Sequence, residues 1–230
     1  MSLALGTVEL KTIPRVVAIL DEPVPFAAVS ELEQEGADLF EIRIDCFPVP
    51  FPEIIKYLVE VRKHVSAPFI GTIRQTDANR HERLSMFKEI LPCVESVDIE
   101  IDADINQQVI SMAQDKVKII SEHDFEKTPN DNALQALVYT AKRQGADIVK
   151  IAAMAQRRED VTRLLRFTED CRDNLVSIAM GEEGAVSRVI APLFGSLFTY
   201  AYVTRPVAPG QLSLEETVAE LKRYFPCLKS

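Results

Sequence analysis

Eight short apolar runs recur along this chain, separated by segments of helical periodicity, and this alternation constrains the fold more than any other feature. The runs are Arg15–Leu20, Leu39–Ile44, Phe69–Arg74, Val97–Ile101, Val117–Ser121, Ile148–Ala152, Leu175–Met180 and Phe198–Val203. They are rich in Val, Ile and Phe, as buried strands are. Between them lie apolar stripes at helical spacing. Ile54, Ile55, Leu58 and Val61 form one, and Leu134, Leu137, Val138 and Ala141 another. Val161, Leu164, Leu165 and Thr168 form a third. Val218, Leu221 and Tyr224 form the last, behind a predicted capping box of Ser213 with Glu216. Strands that alternate with helices pair in parallel. Eight such units in 230 residues predict an α/β fold, a (β/α)8 barrel of the TIM type, as one domain over residues 1–230.

The competing architecture is an open, doubly wound sheet. Its nucleotide-binding form needs a glycine-rich turn after an early strand. Here Asp21-Glu22-Pro23-Val24-Pro25 follows the first run, and no GxGxxG occurs. The segment Leu5–Leu10 is expected to form a small hairpin closing the bottom of the barrel. The proline-rich stretch from Phe47 to Pro52 suits a strand-to-helix loop. Met1-Ser2-Leu3 reads as a cloning scar and is set aside.

Net charge is −9, which argues against nucleic acid as a partner but still allows a local basic pocket. Cys46, Cys93, Cys171 and Cys227 form no CxxC pair and no histidine cluster accompanies them, so no zinc or redox motif is read. They suit a reducing, cytoplasmic setting. The sequence shows no secretory signal and no apolar run long enough to span a membrane, so no membrane association is expected.

Lys150 is the most suggestive single residue. It sits in the apolar stretch Ala146-Asp147-Ile148-Val149-Lys150-Ile151-Ala152. Burial disfavours the ammonium, and a neutral amine is a nucleophile toward carbonyls. The alternative is a lysine at the strand's end with its charge in water. In a barrel, the catalytic face lies at the carboxyl ends of the strands. Glu41 and Arg43 stand late on the second run, two apart and so on one side. Arg74 ends the third, Asp98 and Glu100 share a side of the fourth, and His123 directly follows the fifth. Ser187 and Arg188 follow the seventh, and Ala208-Pro209-Gly210-Gln211 the eighth.

Each of these has a structural explanation taken alone. Glu41 with Arg43 reads equally as an ion pair, His123 as a cap near Pro129, and Arg188 as a solvated side chain. Taken together, three arginines and a lysine predict a cationic pocket for a small anionic substrate, most simply a carboxylate. The arginines would further disfavour the lysine's charged form. A histidine beside them moves protons near neutral pH. The physics gives a Schiff-base barrel enzyme acting on a small keto acid, and leaves a dehydratase and an aldolase both open.

The motifs resemble those of type I 3-dehydroquinate dehydratase, the imine-forming enzyme of the shikimate pathway of aromatic amino-acid biosynthesis. Glu41-Ile42-Arg43-Ile44-Asp45, Thr72-Ile73-Arg74 and Asp98-Ile99-Glu100 match its second, third and fourth strands. The run from Ser121 to Pro129, containing His123, matches its histidine motif. Asp147-Ile148-Val149-Lys150-Ile151-Ala152 matches its lysine motif. Met180 to Arg188 and Ala208-Pro209-Gly210-Gln211 complete the set, in order, over nearly the whole chain.

The resemblance implies a (β/α)8-barrel hydro-lyase, usually a homodimer, that needs no metal or organic cofactor and converts 3-dehydroquinate to 3-dehydroshikimate. It implies that Lys150 forms the imine and His123 shuttles protons. It implies that Arg188 binds the substrate carboxylate, while Glu41, Arg43, Arg74 and Gln211 bind hydroxyls or orient the ring. Gly210 and Gln211 fall in the loop that closes over the substrate.

Two positions depart from the family pattern. Ala78 stands where the family has a glutamate that contacts the catalytic histidine, and Val207 where it commonly has a serine near the substrate carboxylate. Two alternatives remain beside the dehydratase. One is a class I aldolase or transaldolase-like lyase, which shares the barrel lysine. The other is a non-catalytic relative that binds a shikimate-pathway acid.

Overall fold

The computed structural model describes residues 3–228, so Met1 and Ser2 of the tripeptide set aside above lie outside the described residues. A two-stranded antiparallel hairpin, β1 (Ala4–Leu5) and β2 (Val8–Glu9), comes first. The barrel strands follow as β3 (Val16–Leu20), β4 (Leu39–Arg43), β5 (Phe69–Thr72) and β6 (Ser96–Glu100). They continue as β7 (Val117–Asp124), β8 (Ile148–Met154), β9 (Leu175–Met180) and β10 (Thr199–Tyr202). The helices are α1 (Phe26–Glu35), α2 (Phe51–Val61), α3 (Arg83–Ile90) and α4 (Asn106–Met112). After these come α5 (Asp131–Gln144), α6 (Arg158–Asp170), α7 (Ser187–Ile190) and α8 (Leu214–Tyr224).

Every ladder of the eight-stranded sheet is parallel, in the order β10-β3-β4-β5-β6-β7-β8-β9. This is the predicted barrel. It is nearly closed: β9 and β10 share no ladder, and the seam is bridged where the Leu197 amide donates to the Leu175 carbonyl at 3.0 Å.

Strand alternation sorts the core into two shells. Val17 and Ile19 of β3 face the barrel axis, where they meet Leu39, Ile70, Ile119 and Ile148. Val16, Ala18 and Leu20 face outward into the layer between strands and helices. Leu5 and Leu10 of the hairpin segment are fully buried in the axial cluster, so the hairpin plugs the barrel as expected.

Helix boundaries follow local chemistry. The Ser213 hydroxyl accepts from the Glu216 amide while the Glu216 carboxylate accepts from the Ser213 amide, forming the predicted capping box. Asn130 caps α5 through its side chain, and Gly145 ends that helix in the left-handed region.

Several elements differ from the expectation. β5 stops at Thr72, so Arg74 lies two residues beyond the strand instead of ending it, and β8 runs on to Met154. β7 runs three residues past Ser121, so His123 stands on the strand itself instead of after it. Glu122 and Asp124 look like loop residues in sequence, but the β8 ladder continues through them, pairing His123 with Ala152. The seventh helix is a single turn, continued by the 3-10 turn Ala191–Phe194, because Pro192 interrupts it.

Candidate active site

A cavity of about 330 Å³ opens at the carboxyl ends of the strands. Glu41, Arg43, Arg74, His123, Lys150, Arg188 and Gln211 all line it, so the barrel brings every sequence-predicted site residue to one mouth. Glu100, Phe125, Met180, Tyr200 and Val207 complete much of the wall.

Lys150 lies midway along β8 and is only 4% exposed, so the reading of a lysine with its charge in water does not hold. Its Nζ donates to Asp98 Oδ2 at 2.9 Å and to Glu41 Oε1 at 3.4 Å. The Tyr200 ring lies beneath it, with the centroid 4.1 Å away. Glu41 is held in turn by the Thr72 hydroxyl, which donates to it at 2.7 Å.

The cations are therefore not massed against one another, as the sequence reading expected. Arg74 donates to Asp98 at 2.8 Å and to the Ser121 hydroxyl at 3.0 Å, and lies 3.3 Å from Glu100. Arg43 makes a two-point contact with Asp45, at 2.8 and 3.2 Å. Glu100 also pairs with the buried Arg83. Charges removed from water at this depth require counter-charges, and the strand carboxylates supply them. Burial alone would weaken the Arg43 and Arg74 cations, but Asp45 overrides it for Arg43 and Asp98 for Arg74, so both are held more firmly charged than usual. Burial likewise opposes the Asp98 carboxylate, yet Arg74 and Lys150 hold it far below the ordinary range.

Arg188 is the exception. It is 2% exposed and, among the described residues, pairs with no carboxylate. Its Nε donates to the Gly210 carbonyl at 2.8 Å and its Nη2 to the Pro209 carbonyl at 3.1 Å. Desolvation brings it down to about 10. A buried guanidinium facing a cavity without a counter-ion suits an anionic ligand. The Ser187 hydroxyl accepts from the Ala179 amide at 3.0 Å, which anchors the single-turn α7 to the end of β9 and so places Arg188.

The segment after β10 is packed over the mouth. Gly210 sits at φ +70, and a side chain there would strike the Gly181 carbonyl, so this close approach requires glycine. Gln211 Oε1 accepts from the Val207 amide at 2.9 Å, which leaves its NH2 for a ligand. Farther back, Asp21 at the end of β3 accepts from Thr204 at 2.9 Å and from Arg205 at 3.2 Å, tethering the start of this segment.

His123 is partly buried, with its ring stacked on Phe125 at a centroid distance of 6.2 Å. Burial, then the charges of Arg74 and Lys150, pull it well below its ordinary value, against the pull of Asp98. It is thus neutral near neutral pH and ready to accept a proton. Ala78 lies exposed in a turn that Asn79 holds through Thr76 and the Arg74 carbonyl. Asp77 and Glu82 are exposed, and among the described residues neither pairs with His123, so neither takes the missing glutamate's place.

Asp98, Ser121 and Tyr200 were not singled out as site residues by the sequence reading. Asp98 was visible as a strand carboxylate, though its partners were not. Tyr200 has no sequence signal that separates it from a core aromatic.

Comparison with known proteins places these features in a family. The model for type I 3-dehydroquinase matches residues 25–224. The chain is 34% identical over 225 residues to the 3-dehydroquinate dehydratase of Methanococcoides burtonii, covering 93% of this chain and 96% of that protein. It is 36% identical over 200 residues to that of a Hydrogenobaculum species, covering 84% and 91%. The crystal structure of 3-dehydroquinate dehydratase from Geobacillus kaustophilus aligns with a TM-score of 0.88 at 26% identity, over 98% of each chain. That from Aquifex aeolicus aligns at 0.79 and 30% identity, over 92% of this chain and 99% of that one.

Proposed function

The chain belongs to the type I 3-dehydroquinase family, and from that premise we propose that it dehydrates 3-dehydroquinate to 3-dehydroshikimate with Lys150 as the imine-forming amine and His123 as the proton carrier. The observation that carries the assignment is the position of Lys150. It is a buried strand lysine whose amine reaches a carboxylate-ordered cavity that also holds a neutral histidine.

The amine loses a proton and attacks the ketone, and the resulting carbinolamine loses water to give an iminium. The iminium withdraws electrons and acidifies the neighbouring C–H. His123 takes that proton, and the C–H electron pair moves toward the nitrogen. The pair then returns to expel the hydroxyl as His123 delivers the proton to it, forming the conjugated double bond and water. Hydrolysis of the imine frees product and amine. Asp98 and Glu41 fix the amine between them. Arg188, without a protein counter-ion, takes the substrate carboxylate. Glu41, Arg43, Arg74 and Gln211 meet hydroxyls or orient the ring. Because Arg188 also donates to the Pro209 and Gly210 carbonyls, carboxylate capture is coupled to closure of the segment after β10.

Family membership supports two further assignments, a homodimer and a cytoplasmic location. Among the described residues, no helix is long and apolar enough to cross a membrane. Sedimentation equilibrium tests the dimer. The activity is tested by incubating pure protein with dehydroquinate and following the enone absorbance of the product. Growth of that band supports the dehydratase. Carbon–carbon cleavage products would favour an aldolase, and binding without turnover a non-catalytic relative.

A further inference from the structure

Tyr200 carries a hydroxyl that the fold does not use. The side chain is 2% exposed, and its oxygen has no hydrogen-bond partner among the described residues. A phenylalanine would pack equally well here: the ring makes an edge contact with Phe198 at 5.6 Å and lies under the Lys150 ammonium at 4.1 Å. A buried hydroxyl left unpaired is costly, and buried polar atoms almost always find partners. The ring lines the cavity, though the oxygen itself is covered, so a ligand that supplies its partner must shift a neighbouring side chain. Burial first, and then the Glu41 and Asp98 carboxylates, push the phenol well above its ordinary value, so it remains a neutral donor.

Lys150 stands on β8, His123 on the adjacent β7, and Tyr200 on β10, on the opposite flank of Lys150 beyond β9. In dehydroquinate the ketone carbon has two ring neighbours. One is the CH2 that loses the proton, and the other bears a hydroxyl. Once that carbon is bonded to Nζ, turning the CH2 toward His123 turns the hydroxyl-bearing neighbour toward β10. We propose that the Tyr200 hydroxyl is a specificity-determining contact for this reaction, hydrogen-bonding the substrate oxygen on the carbon next to the imine, on the flank away from His123. The proposal rests on the Schiff-base reading given above.

The test compares wild type with Tyr200→Phe on dehydroquinate and on its 4-deoxy analogue, alongside thermal midpoints and borohydride trapping. The expected result is an unchanged or higher midpoint, with kcat/KM on dehydroquinate lowered roughly two- to tenfold, the range of a neutral hydrogen bond. On the deoxy analogue the two proteins should be equal, so the variant's preference for dehydroquinate shrinks by the same factor. Equal kcat/KM on dehydroquinate, or the same loss on both substrates, overturns the proposal while leaving the dehydratase intact. A wild type that neither turns over dehydroquinate nor traps it overturns both readings.

Discussion

Exchanging Asp98 for asparagine changes one oxygen for an amide nitrogen at the centre of the charge network, with almost no change in volume. The carboxylate is fully buried and accepts from Ser121 at 2.6 Å, Arg74 at 2.8 Å and Lys150 at 2.9 Å. Removing its charge strands two cations at low dielectric, a change that costs roughly 3–5 kcal/mol when a buried pair is broken. Glu41 still lies 3.4 Å from Lys150, and Glu100 3.3 Å from Arg74, so the lower end applies, about 3 kcal/mol. For a chain of this length that lowers the thermal midpoint by roughly 6–12 °C at neutral pH.

The pH dependence has a definite sign. The folded Asp98 carboxyl titrates below its unfolded value of 3.8, so its contribution is present above that value. It is lost as pH falls through the folded value. The gap between wild type and Asp98→Asn should therefore hold from neutral pH down to about 4 and close below it. Calorimetry across that range, with turnover measured on the same samples, is the assay. A midpoint drop under about 1 °C at pH 7 would refute the claim that the network is energetically connected. A gap that widens in acid would refute the sign.

Arg188→Lys keeps the charge but loses the two-point grip and the fork to the Pro209 and Gly210 carbonyls. Ligand affinity should fall at least about tenfold by calorimetric titration, and unchanged affinity would move the carboxylate to another cation. Activity requires neutral His123, and the folded site holds its imidazole well below 6.5, so the acidic limb of kcat/KM should lie below pH 6.5. Ala78→Glu should raise that limb and increase turnover by orienting the ring, whereas Asp77→Ala should leave both unchanged. Loss of activity in Asp77→Ala would show that Asp77 does the missing glutamate's work.

The barrel was legible because most barrel strands are rich in Val, Ile, Leu or Phe, and runs such as Leu175–Met180 differ sharply from their charged neighbours. Boundaries failed where ladder pairing overrides polarity: Glu122-His123-Asp124 looks like loop and is strand. Positions of site residues followed from strand ends, since spacing alone puts Glu41 with Arg43 and Asp98 with Glu100 on common sides. The pairing among them did not. Which carboxylate meets Lys150 depends on register between β6 and β8, two strands with β7 between them and far apart in sequence, and no local pattern encodes it. That is why a cationic pocket was expected where the structure has a nearly neutralised one. Tyr200 was invisible for a different reason, because an aromatic in a buried strand satisfies the core pattern whether or not its hydroxyl has work to do.

Reduction with borohydride in the presence of dehydroquinate, followed by peptide mass mapping, tests the central claim most directly. The account predicts that the ligand-derived mass appears on the peptide containing Lys150, and that Lys150→Arg removes both the adduct and turnover. An adduct on Lys127 instead, or full turnover with no adduct on any lysine, would contradict it.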